Sequence, residues 1–181
     1  MKNEFSLERL AVAAFAKAQG SLSGSLPLGQ LERLVQESKG DCAAVPVIYR
    51  MNAEMRADAA GVDEPWLHLA ASTHLTMVCQ RCLGDVEVEV GFERDFRFVA
   101  SEELAEVEDE ESEEDVLVLS KAFNGLELLD DELLLALPLV PKHSVCPRDV
   151  KLQAEDPDFA AAMPEKPHPF AVLQKLKKDA G

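Results

Sequence analysis

The chain has 181 residues, 47% of them apolar, and its 34 acids against 18 Lys plus Arg leave a net charge of -16. That length and apolar fraction suit one folded domain with a real core, so residues 1–181 are read as a single domain. The charge makes naked nucleic acid a poor direct partner, because phosphates are held by cations that displace counterions, and it favours basic proteins such as ribosomal proteins.

The start, residues 1–20, reads as a short strand and an Ala-rich helix. It does not read as a secretory signal, because Glu4, Glu8 and Arg9 interrupt it. Ser21–Ser25 reads as a strand and turn. Leu28, Leu31, Leu34 and Val35 then recur at helical spacing, with Gly40 as a stop. From 45 to 55 the pattern has period two: Val45, Val47, Tyr49, Met51, Ala53 and Met55 alternate with Arg50, Asn52 and Glu54. Pro46 fits only near a strand start or an edge. A second strand sets Leu67, Leu69, Ala71, Leu75 and Met77 on one face, with His68, Ser72, His74 and Thr76 opposite. A third sets Val86, Val88, Val90, Phe92, Phe96 and Phe98 against Glu87, Glu89, Glu93, Asp95 and Arg97. Arg94 falls on the apolar side and is expected at a bulge or reaching for the rim.

Residues 101–115 hold ten acids in fifteen positions and no base. Such a run repels itself and reads as a mobile loop, either a solvated linker or a lure for a basic partner. A short strand over 116–119 and a turn at Asn124-Gly125 follow. Leu126, Leu129, Leu133 and Leu137 then mark a helical stripe with carboxylates in its first turns, stopped by Pro138. The tail, about 147–181, is irregular until a short amphipathic helix over Phe170–Lys178 that exposes Lys175, Lys177 and Lys178. The fold class is therefore α+β: a curved antiparallel meander covered by a few helices, with an acidic loop at about 101–115 and a docked C-terminal tail.

The chemistry-bearing residues are few. Cys79-Gln80-Arg81-Cys82-Leu83-Gly84 is a tight turn between two strands that aims two sulfurs at one point. This is half of a zinc site or a dithiol pair. His143 and Cys146, beyond the Leu-rich helix, would complete a Cys3His set for structural zinc. A metal-free pair of packed thiols fits the same residues. Redox catalysis fits less well, because a thioredoxin-like pair opens a helix whose N-terminus lowers the thiol pKa. Cys42 reads as a small core residue. His68 and His74, six strand residues apart, are about 20 Å from one another and cannot share a metal. His168, between two prolines, reads as a packing anchor for the tail. Nucleotide-cradling glycine loops, nucleophile elbows and HExxH are absent from the sequence. So is a run of about 18 apolar residues that would span a membrane. Four scattered cysteines suit a reducing cytoplasm.

Three segments taken in order resemble a known family. They are the Cys79–Cys82 turn after a strand, the acidic Leu-rich helix ELLDDELLLALPLVP over 127–141, and the closing PHPFAVLQKLK over 167–177. The chain resembles the YceD family, the large ribosomal RNA subunit accumulation proteins. That resemblance implies a cytoplasmic, bacterial, non-catalytic ribosome-biogenesis factor. It would support the synthesis, processing or stability of 23S ribosomal RNA, directly or indirectly. The family's cysteine turn maps onto Cys79 and Cys82, whereas other branches carry more cysteine in the second half than this chain does. Combined with the charge, the resemblance favours action through a basic ribosomal or assembly protein. Two alternatives remain at this point. One is a direct RNA-binding module using Arg50, Arg56, Arg81 and the lysine tail. The other is a small zinc-binding adaptor unrelated to ribosomal RNA.

Overall fold

A computed structural model of the chain describes residues 5–57, 61–109, 112 and 114–150. Met1–Cys146 forms one compact unit and Pro147–Gly181 a second. The expected tail helix over 170–178, His168 and the docking of the tail lie outside the described residues.

The alternating segments form strands where period two predicts them. β1 (Ser21–Pro27), β2 (Pro46–Ala57), β3 (Asp63–Val78) and β4 (Asp85–Val99) pair antiparallel in sequence order. A fifth strand, β5 (Asp115–Val118), pairs parallel to β4, giving an open, mixed sheet in the order β1-β2-β3-β4-β5. Pro46 opens β2, where its missing N–H costs no central ladder bond. Its carbonyl accepts from the buried Thr73 hydroxyl at 3.1 Å, which satisfies the one polar group on the inner face of β3.

One face of the sheet holds the core. Met51, Leu67, Leu69, Phe96 and Phe98 are all but fully buried there; each such side chain contributes roughly 1.5–3 kcal/mol by leaving water. Three helices cover that face. α1 (Val12–Lys17) lies on β2 and β3, α4 (Gly125–Leu135) lies on β3 and β4, and α2 (Glu32–Glu37) packs on α4. Asn124 is the N-cap of α4 rather than a free turn: its side chain accepts from the amides of Leu126 and Glu127. α4 ends at Leu135, because Pro138 pushes Leu137 out of helical geometry. α2 has no side-chain cap of its own. Asp130, buried on α4, fills that role from a distance, its two oxygens accepting from Leu34 N at 3.0 Å and Arg33 N at 3.3 Å.

The acidic stretch departs from expectation. Over Glu102–Asp109 an eight-residue helix, α3, stands where a mobile loop was expected, while residues 110, 111 and 113 of that expected loop lie outside the described residues. The physical reason is topological. A strand parallel to β4 can be reached only by a crossover, and α3 is that crossover. Ser101 Oγ accepts from Leu104 N at 3.4 Å at its start, and Glu102 and Glu103 sit where the helix dipole favours carboxylates. Arg97 reaches up from β4 to Glu108 at 2.6 Å and ties the helix down.

The other sheet face carries charge. Arg56 stacks on Trp66 at 4.4 Å and contacts Glu54 and Asp95. His68 sits between Asp95 at 2.7 Å and Glu93 at 3.0 Å, so it is a partnered surface histidine far from His74. Arg94, the cation expected to reach for the rim, does so. It contacts Asp115 at 3.2 Å and Glu132 at 3.3 Å. Cys42 is buried in the core, as its isolation suggested.

Candidate metal centre

The centre is built at the end of the β3–β4 hairpin. Two backbone bonds close the turn: Cys79 N to Gly84 O and Leu83 N to Cys79 O, both 2.8 Å. The left-handed residue is Leu83, at φ 59°, not the following Gly84. A leucine there costs about 1–2 kcal/mol, so the turn is held against a local strain. The second half arrives on the extended chain after α4. Gln80 N donates to Pro141 O at 2.9 Å, which docks residue 141 on the turn and brings His143 and Cys146 over the two sulfurs.

The structure therefore brings together all four residues that the spacing suggested. One donor atom each from Cys79, Cys82, His143 and Cys146 lies within 4.8 Å of every other. Cys79 Sγ to Cys146 Sγ is 3.9 Å and Cys82 Sγ to His143 Nδ1 is 3.5 Å. A tetrahedral zinc with ordinary bond lengths requires edges of about 3.8 Å for S···S and about 3.6 Å for S···N. Those two edges match to within about 0.1 Å, and closing the widest pair requires about 1 Å of movement. All four cysteines of the chain are free thiols.

The electrostatics favour thiolate at Cys79 and disfavour it at Cys146. Burial pushes the Cys79 thiol up, but the amides of Cys82, His143 and Arg81 and the His143 ring donate to it and bring it down to about 5. Burial raises the Cys146 thiol and the neighbouring sulfurs add to this, against the pull of the Arg81 cation. Cys79 has no exposed surface and Cys82 is 8% exposed. A thiol that attacks other disulfides needs partial exposure, so a buried, depressed Cys79 suits a ligand better than an exchange nucleophile.

The sequence did not reveal what Arg81 does. Its Nε donates to Cys146 Sγ at 3.0 Å, and its Nη2 donates to the carbonyls of His143 at 2.9 Å and Ser144 at 3.3 Å. One side chain from the first half thus straps down the backbone of the second. The only hint in the sequence is a cation placed between two cysteines.

Among the described residues, Arg50, Arg56 and Arg81 do not form one patch; the lysine tail also named for direct RNA contact lies outside the described residues. Arg50 and Arg56 lie on the charged face of β2, paired with Glu93 and with Glu54 and Asp95. Arg81 sits beyond the far end of the hairpin, turned into the cysteine site. From Ala70, the partner of Arg50, to Val78 is about 26 Å along β3. No helix among the described residues is long and apolar enough to cross a membrane.

No solved structure matches the chain. Residues 67–177 match a family described as large ribosomal RNA subunit accumulation protein YceD. The match starts in β3 and takes in the cysteine turn, α4 and the His143–Cys146 segment, so it covers every part of the centre and well over half of the sequence. The chain belongs to the YceD family.

Proposed function

We propose that this chain is a non-catalytic, cytoplasmic factor of bacterial large-subunit assembly. It sustains the synthesis, processing or stability of 23S ribosomal RNA through a basic protein partner. Cys79, Cys82, His143 and Cys146 hold a structural zinc ion in it. The observation that carries this reading is the family match, whose description names accumulation of large-subunit ribosomal RNA. The net charge of -16 supports the route through protein, since such a surface attracts cationic proteins and repels phosphates.

Zinc is supported by the donor set and its spacing. When bound, it would supply cross-linking, because four protein ligands leave no open position for a substrate. The residues themselves do the rest. The turn presents two sulfurs, Pro141 docks on Gln80, and Arg81 holds the His143–Cys146 backbone in place.

The test is crosslinking in cells, followed by purification with and without nuclease. The expected result is a basic ribosomal or assembly protein retained after nuclease. Recovery of RNA alone, lost on digestion, would overturn the route through protein. For the metal, protein purified without chelator should carry one zinc per chain. Absence of zinc with all four cysteines titrating as free thiols would overturn that part.

A further inference from the structure

The three sulfurs of the centre differ in how far solvent reaches them. Cys79 and Cys82 are buried in the hairpin turn, whereas Cys146, carried on the extended chain after α4, is partly exposed. Cys42 is buried and stands outside the cluster.

Cys146 also has a sulfur neighbour. Its Sγ lies 3.9 Å from Cys79 Sγ, and Arg81 Nε donates to it at 3.0 Å. Cys82 Sγ is engaged elsewhere, with His143 Nδ1 at 3.5 Å. A disulfide holds its sulfurs about 2.05 Å apart, so each of the Cys79 and Cys146 sulfurs would move by about 1 Å to form one. An accessible thiolate beside a second sulfur is the arrangement that oxidises reversibly, because the second sulfur captures the sulfenic acid before it is oxidised further. Burial raises the free Cys146 thiol. The chemistry therefore belongs to the zinc-loaded centre, where coordination deprotonates a thiol outright. With all three sulfurs deprotonated, access ranks them, and Cys146 comes first.

We infer that Cys146 is a site of oxidation by hydroperoxides, and that Cys79 resolves it as a disulfide that releases the metal. The inference rests on the zinc reading above. In the first step the Cys146 sulfur attacks one peroxide oxygen. An S–O bond forms, the O–O bond breaks, and hydroxide leaves. In the second step the Cys79 sulfur attacks Cys146 Sγ. The S–S bond forms, the S–O bond breaks, and a second hydroxide leaves beside the Arg81 cation. Each hydroxide takes a proton from solvent. Each sulfur gives up one electron, and the peroxide takes both. Cys82 and His143 are then left, and two ligands are too few for a structural zinc site. The disulfide keeps the turn joined to the segment that carries Cys146. A dithiol reductant reverses the change, as suits a transient disulfide in a reducing compartment.

The test treats zinc-loaded, full-length protein with hydrogen peroxide, after its metal content has been measured. A chromogenic chelator follows zinc release, free thiols are counted, and cross-linked peptides are identified by mass spectrometry without reduction. One zinc should be released for every two thiols lost. The cross-link should join Cys79 to Cys146 and leave Cys42 and Cys82 reduced. With the sulfenic-acid trap dimedone present, label should appear at Cys146 and the cross-link should fall in proportion. A dithiol followed by zinc should restore the starting protein. The assignment uses the unaltered chain, so it does not depend on how cysteine variants fold. Zinc retained under peroxide, a Cys79–Cys82 link, or label at Cys79 or Cys82 in place of Cys146 would overturn the inference and leave zinc binding intact. A chain that carries no zinc when purified without chelator would overturn the zinc reading, and this inference with it.

Discussion

Arg81 makes three hydrogen bonds to the second half of the metal centre, and their removal has a calculable consequence. Arg81→Ala deletes all three while leaving the four donors untouched. One bond goes to a sulfur that carries negative charge when it binds metal, so it is charge-assisted. The other two hold the backbone at His143 and Ser144, and so fix the approach of both ligands. Loss of such outer partners lowers metal affinity by about 10- to 100-fold, or about 1.4–2.7 kcal/mol. The upper end is less expected here, because the guanidinium is exposed and solvent screens it. Arg81→Lys keeps the charge but loses the fork, so it should fall between. Zinc competition against a chelator of known affinity measures the change. Cobalt substitution should give the same ligand-field band positions in variant and wild type, because the four donors are the same. Wild-type affinity in Arg81→Ala would show that the strap contributes nothing. A changed cobalt spectrum would place the fault in the donor set itself.

Asp130→Ala strips two backbone amides of their acceptor, one of them on buried Leu34, and should cost about 2 kcal/mol in urea unfolding; a change under about 0.5 kcal/mol would mean α2 needs no cap from α4. Glu132→Gln should stabilise the free protein at neutral pH. The carboxyl is raised above its ordinary 4.5 by burial, so its charged form is penalised only in the native state. That penalty is absent below the ordinary value and complete above the raised one. The gain from the variant should therefore vanish on acidification below pH 4.5, and unfolding at several pH values tests this. Replacing Glu102, Glu103, Glu106, Glu110, Glu111, Glu113 and Glu114 by Gln should slow association with a basic ribosomal protein by about tenfold at low salt, and hardly at high salt. Equal rates at low salt would remove the steering role.

The centre of the sheet was legible in the sequence because β2, β3 and β4 alternate with period two. Burial of the odd positions from Leu67 to Met77 and of Phe96 and Phe98 is what period two predicts. α3 was not legible, because ten acids in fifteen positions look self-repelling. What makes Glu102–Asp109 a helix is the parallel pairing of β5, a long-range fact, together with the Ser101 cap. The four donors could be named from residue type alone. Their convergence could not, since it depends on Gln80 meeting Pro141 and on Arg81 reaching His143 and Ser144. Asp130 looked like a helix-dipole residue because capping another helix across the core leaves no local pattern.

Whether the chain grips protein or RNA can be measured with purified components. Equilibrium binding should be compared for protein-free large-subunit ribosomal RNA and for the basic proteins extracted from that subunit, across a range of KCl. The expected result is saturable binding to one or more of the proteins and none to bare RNA at physiological salt. Tight capture of the bare RNA that weakens steeply as KCl rises, with no protein bound, would contradict an adaptor that works through cationic partners.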